Sequence, residues 1–389
     1  MPADASPFAV ELRRLRAEQG LSVRDLAAQI HHGKSYVRDL ETGRRPPTEV
    51  IARRLDEALG AGGRLAAHVR PAAGPVDDGS EVEALELVRR VTASDVSEQT
   101  LLRLEQVKDR MAMAYATTAP AELLPRVRRH LDYVVSLVDA RKTLAQHRRL
   151  IVVGGWLALL RATLHVDLRQ AAAADAYLAT ASRLAGEADH PEIAAWCLET
   201  RAWDVLTGGD YQQALELSQG AQAVAPRGSS AYLQATAQEG RAWARLGDRQ
   251  QTGRVLERVE KLAEAWPVPA HPEHHYQYDP AKAHSYAATT LAWAGDPAAE
   301  AVARDVIAEL QTEGARPRRI ASARLDLGLA LLAADKADEA AAAASEAIGS
   351  GRIAASNWWR ATEILTGVQR AGAPEARQLR DEYEAFRPA

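Results

Sequence analysis

The sequence predicts an all-α protein built in two helical parts, and three observations predict it. Apolar residues recur at three- and four-residue spacing along most of the chain, the period of a helix face. Strand-building residues are sparse: phenylalanine occurs twice in 389 residues and β-branched runs are few. Glycine-aspartate and related polar turns return at near-regular intervals through the larger, C-terminal part. Hydrophobic residues make 47% of the chain and charged residues 26%, the balance of a folded globular protein long enough for several domains. The longest apolar stretch, Leu150–Leu160, is interrupted by Gly154 and Gly155, so no membrane span is expected. Asp4 and Glu11 stand where a secretory segment would be apolar, and the expected location is cytoplasmic, at the nucleoid. A single cysteine, Cys197, excludes an internal disulfide and a cysteine-based zinc site.

The elements of the first part follow from local signals. Leu12, Leu15 and Leu21 open the apolar pattern. Ser22 followed by Asp25 forms a near capping box and starts a helix whose inner stripe is Leu26, Ala27 and Ile30. After the turn His31–Gly33, a second helix carries Val37 and Leu40 inward and stops at Gly43. Lys34, Ser35, Arg38 and Asp39 are left on its outer face, with Arg44 and Arg45 directly after it. Two short helices joined by a tight turn have the geometry that places the second helix in a DNA major groove. Five short helices are expected over residues 1–70, which hold twelve Lys/Arg against nine Asp/Glu, whereas the remainder is acidic. A Pro- and Gly-rich linker is expected at 71–80 and connecting helices at 81–119.

Residues 21–47 resemble the Cro/cI-like (XRE) helix-turn-helix through Leu21-Ser22, Leu26-Ala27, Ser35, Leu40-Glu41, Gly43, Arg45 and Pro47. Gly33 departs from the Ser or Thr common there, which removes a hydroxyl but costs little as a cap. The resemblance implies a double-stranded DNA operator as partner. It implies base contacts from Lys34, Ser35, Arg38 and Asp39, and phosphate contacts from the Ser22 backbone, Arg44 and Arg45. Asp39 has two readings, cytosine contact or pairing with an arginine, and the sequence leaves both open. The module's small positive charge predicts weak binding by one copy, hence a homodimer on a palindromic site.

In the second part, residues 120–389, four turns share one form: Gly209–Ala214, Gly247–Thr252, Gly295–Ala301 and Asp335–Ala340, with a weaker copy at Val166–Ala171. Counted from Ala171, the successive spacings of 43, 38, 49 and 39 residues fit a 34-residue helical hairpin lengthened by loops. Ala202, Gly240 and Gly328 supply the small residue of each first helix. These segments resemble tetratricopeptide repeats, which implies an α-solenoid with a concave binding face. With the first part, the chain resembles the XRE–tetratricopeptide regulators of the actinomycete type.

On the array, Trp196, Glu199 and Trp203 share one helical face, opposite Leu198, Ala202 and Val205. The repeat register puts them, with Arg241 and Lys282, at concave positions that suit a small-molecule or peptide effector; packing between repeats is the competing role of the tryptophans. The loop 267–280 is expected to fold over the groove mouth and contribute Tyr276 and Tyr278. Arg318-Arg319 and Asn357-Trp358-Trp359-Arg360 are further candidates for a carboxylate clamp and an aromatic wall, with ordinary surface or packing use favoured. His271, His274, His275, Asp279 and His284 lack any metal-ligand spacing, and neither a metal nor a cofactor is expected. No catalytic constellation appears, and Cys197 reads as core, so the chain is not expected to be an enzyme. The expectation is a ligand-responsive transcriptional regulator; the alternative is a DNA-tethered adaptor whose array docks a protein.

Overall fold

The computed structural model describes residues 6–69, 82–86, 95–312, 316–353 and 357–387. Its contacts divide the chain into two compact units, Met1–Asp78 and Gly79–Ala389. The expected linker at 71–80 lies outside the described residues.

The N-terminal unit holds α1 (Pro7–Glu18), α2 (Val23–Gln29), α3 (Lys34–Glu41) and α4 (Glu49–Leu59), followed by one 3-10 turn at Ala66–His68 where a fifth helix was expected. Ser6 caps α1, and Ser22 with Asp25 forms a complete capping box on α2. Leu12, Leu26, Val37, Leu40 and Leu55 meet in one fully buried core, so the inner stripes read from the sequence face one another. Two buried carboxylates tie the elements together. Glu41 of α3 accepts from Arg16 Nε of α1 at 2.5 Å, and Arg16 also donates to the Leu21 carbonyl at 2.8 Å. Asp56 of α4 accepts the backbone N–H groups of Leu65 and Ala66 at 2.9 and 2.8 Å, holding the chain that leaves the helix.

In the C-terminal unit, α5 (Glu98–Ala114) and α6 (Pro120–Val138) precede six antiparallel pairs. These are α7 (Leu144–Asp167) with α8 (Ala171–Glu187), α9 (Pro191–Gly208) with α10 (Tyr211–Val224), and α11 (Ser230–Leu246) with α12 (Arg249–Glu264). They continue as α13 (Ala281–Ala294) with α14 (Ala299–Thr312), α15 (Pro317–Ala333) with α16 (Ala337–Gly349), and α17 (Trp358–Arg370) with α18 (Ala376–Phe386). First helices of successive pairs also pack on one another, from α7 through α17, and form an inner layer. Each turn singled out in the sequence lies inside a pair and uses a left-handed residue: Gly209, Gly247, Gly295, Asp335 or Arg169. Asp210 and Asp248 then cap the next helix by accepting the N–H of Gln213 and Gln251 at 3.0 and 2.9 Å.

The repeat register needs two corrections. Ala171 and Ala301, expected at helix crossings, are exposed; Ala174 and Ala303 are the buried residues there, matching Ala214, Thr252 and Ala340 in the other pairs. In the first case α8 begins at Ala171 itself, and in the second Asp296 and Pro297 lengthen the turn before α14. The Gly154-Gly155 pair, expected to break an apolar stretch, lies within α7, where a Cβ on Gly155 would sit 3.2 Å from Ile193 Cδ1. Among the described residues α7 is the one helix long and apolar enough to cross a membrane by length and composition; 89% of its apolar window is buried inside the array, as in a core helix.

Gly240 and Gly328 stand where helices cross closely. A Cβ on Gly328 would lie 2.8 Å from Ile364 Cδ1 and 3.4 Å from the Ala340 carbonyl. Gly328→Val therefore overpacks the α15–α16–α17 junction and is expected to cost about 1–3 kcal/mol. A lower urea midpoint with an unchanged slope checks this.

Candidate functional site

Two places in the chain gather polar side chains, exposed in one and buried in the other, one in each unit.

The first is the outer side of α3. Val37 and Leu40 are fully buried beneath it, while Lys34, Ser35 and Arg38 are exposed and Asp39 is half-buried. Gly33 starts α3 with extended backbone and no side-chain cap. Elsewhere in the unit, Arg14, Arg16 and Arg53 are held in ion pairs with glutamates. Among the described residues Lys34, Arg38, Asp39, Arg44 and Arg45 make none, so Asp39 is not tied to an arginine. The Arg45 guanidinium lies 4.6 Å from the centre of the Tyr36 ring, which stacks on His32 at 4.5 Å. Tyr36 thus positions the basic segment after α3, a role its neighbours in sequence did not reveal. Ser22 is engaged in the cap read from the sequence. Its backbone N–H donates to Asp25 Oδ2 at 3.2 Å and its hydroxyl to the same oxygen at 2.5 Å. Those bonds hold the Asp25 carboxyl below its ordinary range. The Asp25 carboxylate therefore takes the Ser22 N–H at the start of α2.

The second place is a cavity of about 280 Å³ in the C-terminal unit. Its helical lining comes from the inner layer alone: Thr163 of α7, Trp196, Glu199 and Trp203 of α9, Gln234 and Arg241 of α11, Tyr286 of α13, Asp326 of α15 and Arg360 of α17. Tyr115 after α5 and Glu273 and His275 of the loop 265–280 complete the wall. Of the residues expected at an effector groove, Trp196, Glu199, Trp203 and Arg241 are brought together here, and Arg318, Arg319, Asn357 and Arg360 join them. Trp196 is buried as well as lining, so its packing and its place in the wall coincide.

Tyr276 and Tyr278 do not line the cavity. Tyr276 is buried behind it, against Trp156 and Trp196 at 4.9 and 5.3 Å between ring centres. Tyr278 is fully buried in the core of α11, α12 and α13 with Leu233, Val255 and Ala283, and its N–H donates to Ser230 Oγ at 3.0 Å. The loop is drawn inward by its backbone as well: the His275 N–H donates to the Ala112 carbonyl at 3.2 Å. The Lys282 side chain lies outside the described residues. His274 meets Asp109 at 3.3 Å and His284 meets Glu309 at 3.5 Å, each spent on an acidic neighbour. Burial pushes the Cys197 thiol up to about 12, the state of an unreactive core cysteine.

Polar groups are organised across the cavity. Gln234 Nε2 donates to Glu199 Oε1 at 3.0 Å and to the Tyr286 hydroxyl. Arg360 Nε lies 3.3 Å from Asp326 Oδ1, and both side chains are buried. Arg319 donates to Asp279 Oδ2 and to the Pro272 carbonyl, both at 2.6 Å, and Arg318 donates to the Tyr115 carbonyl. Desolvation lifts the Tyr286 phenol above its ordinary range and the Tyr276 phenol well above it, so both stay neutral donors or acceptors. Gln234, Tyr286, Tyr115 and Asp326 were not singled out from sequence. Asp326 carried a signal, being the single charge in the apolar run Leu325–Ala333.

Residues 7–69 match a family model described as a helix-turn-helix domain. No curated protein matches the chain in sequence. Among solved structures, PlcR of Bacillus thuringiensis, in complex with the peptide PapR7 and DNA, aligns over 95% of this chain and 100% of its own at 12% identity and a TM-score of 0.34. The apo form of the competence regulator ComR from Streptococcus vestibularis aligns over 95% and 99% at 10% identity and 0.33. The P58(IPK) TPR domain aligns over 99% and 98% at 14% identity and 0.24. Such loose superposition carries no conclusion of its own; the hairpins of α7–α18 and their inner layer define the array. The N-terminal unit of this chain is a helix-turn-helix domain, joined in one polypeptide to an all-helical solenoid of tetratricopeptide-like hairpins.

Proposed function

We propose that the chain is a sequence-specific, DNA-binding transcriptional regulator whose solenoid binds an effector and thereby alters operator affinity. One observation carries this reading: Lys34, Ser35 and Arg38 stand exposed on α3, the basic pair without counter-ions, above an inner row that is fully buried. On α1 and α4 the exposed Arg14 and Arg53 each pair with a glutamate of their own helix, whereas among the described residues no ion pair lies on the outer face of α3. In this reading Lys34, Ser35, Arg38 and Asp39 read base edges and Arg44 and Arg45 neutralise phosphate. Ser22 contributes a phosphate contact only if its N–H is released from Asp25. Two copies bind a palindrome with half-sites one helical turn apart.

The cavity favours sensing over adaptor docking. Its volume falls near the lower end of ligand pockets, which run about 300–1,000 Å³, and suits a small molecule or the end of a peptide better than a protein surface. Selection of bound fragments from genomic DNA tests the regulator reading. The expected outcome is a palindromic motif with half-sites about 34–36 Å apart; recovery of fragments without any shared motif overturns it. An effector that tightens or loosens operator binding must itself bind the operator complex more or less tightly by the same factor.

A further inference from the structure

Four arginines face the cavity, and three are accounted for by partners within the array: Arg318 by the Tyr115 carbonyl, Arg319 by Asp279, Arg360 by Asp326. Arg241 is different. It is 6% exposed, and its hydrogen bonding is limited to a 3.3 Å contact from Nη2 to the neutral Thr289 hydroxyl. Its Nε is buried with no acceptor, as Arg360 Nε is, but Arg360 has Asp326 Oδ1 at 3.3 Å and Arg241 joins no ion pair among the described residues. The Tyr286 ring, 4.3 Å from the guanidinium carbon, and Trp293 at 5.8 Å fix its plane. Burial and the nearby Arg360 charge pull its pKa down to about 10, which leaves it a cation at neutral pH. Asp326 and Glu199 offset part of the cost of that burial through space, but neither is bonded to the guanidinium, and a bound group that supplies an anion in direct contact stabilises the fold further.

We infer that the cavity takes a small organic acid, with its carboxylate on Arg241 and its apolar body along Trp196 and Trp203. The inference rests on the effector reading and gives it a chemical class. Charge fixes the sign of the ligand: Arg318, Arg319 and Arg360 are engaged by the Tyr115 carbonyl, Asp279 and Asp326, so the bonding capacity left for an anion is that of Arg241. The cavity of about 280 Å³ has room for an arylalkanoic acid or the C-terminal residue of a peptide. The same carboxylate chemistry serves both sources.

The test uses the full chain without DNA and two matched pairs of probes: 3-phenylpropionate against 3-phenylpropionamide, and N-acetylphenylalanine against its amide. Thermal unfolding and calorimetric titration are expected to register the acids and not the amides. A response to phenylpropionate identifies a free acid as the source, and one confined to N-acetylphenylalanine identifies a peptide C-terminus. Arg241→Met is expected to weaken acid binding at least about thirtyfold and to raise the Tm of the unliganded protein, because the buried charge is gone. Arg241→Lys keeps a charge and retains a weaker response. Acids and amides acting alike, no response to either, or an unliganded Arg241→Met of lower Tm each overturns the inference. Acids that bind yet leave operator affinity unchanged overturn sensing and leave the carboxylate site standing. A neutral effector that shifts operator affinity does the reverse.

Discussion

Replacing Lys34 and Arg38 together by glutamate is expected to lower operator affinity by at least about a thousandfold while leaving the fold intact. A well-aligned contact from lysine or arginine to a base is worth about 1–3 kcal/mol. Losing two of them therefore removes roughly 4 kcal/mol, or about three decades in Kd. Reversing the charge adds repulsion from the phosphate rims, and a dimer suffers the change twice. Both side chains are exposed and unpaired in the folded unit, so stability should stay within about 0.5 kcal/mol of the parent. Fluorescence anisotropy with a labelled operator at one fixed salt concentration measures the loss, and circular dichroism measures the fold. A variant that binds as the parent does would take α3 out of the groove.

The second large effect belongs to the array. Asp326→Ala is expected to destabilise the C-terminal unit by about 3–5 kcal/mol, since it leaves Arg360 buried without its carboxylate. Arg241 sharpens the effect, because its charge already opposes that of Arg360. Urea denaturation followed by tryptophan fluorescence reads the change as a lower midpoint. Removing both charges, Asp326→Leu with Arg360→Met, should recover much of the loss, as the lone charge and not the missing bond carries most of the cost. A single variant that loses less than about 1 kcal/mol would mean that water reaches the pair.

What the sequence made legible was local. The capping box at Ser22 and Asp25, the left-handed turns at Gly209, Gly247 and Gly295, and the small residues at Ala202, Gly240 and Gly328 each follow from backbone chemistry spanning a few positions. Helical period also put Trp196, Glu199 and Trp203 on one face, and the repeat register carried that face to Arg241. What stayed hidden depends on distant partners. The direction of Tyr278 is set by Ser230, 48 residues away, and that of the whole loop by Ala112 and Asp109 on α5. At Ser22 two readings meet on one group: the cap read from the sequence uses the same N–H that the resemblance assigns to phosphate. Ala171 and Ala301 slipped because the buried position depends on where each helix starts: one begins at Ala171 itself, and Asp296-Pro297 delays the other to Ala299.

The bond from Arg318 to the Tyr115 carbonyl spans 203 positions of chain, and the loop 265–280 reaches the same end of α5 through His274 and His275. In an open stack each hairpin answers only to its neighbours, so units can be added, lost or frayed one at a time. Here a clasp joins the array's first described long helix to its fifth hairpin. Deleting or inserting an internal hairpin would carry the two halves of the clasp apart, which fixes the repeat number as firmly as a ring fixes its number of subunits. Strain introduced at any pair within the circuit is therefore expected to be shared around it, while the sixth pair stays free to fray.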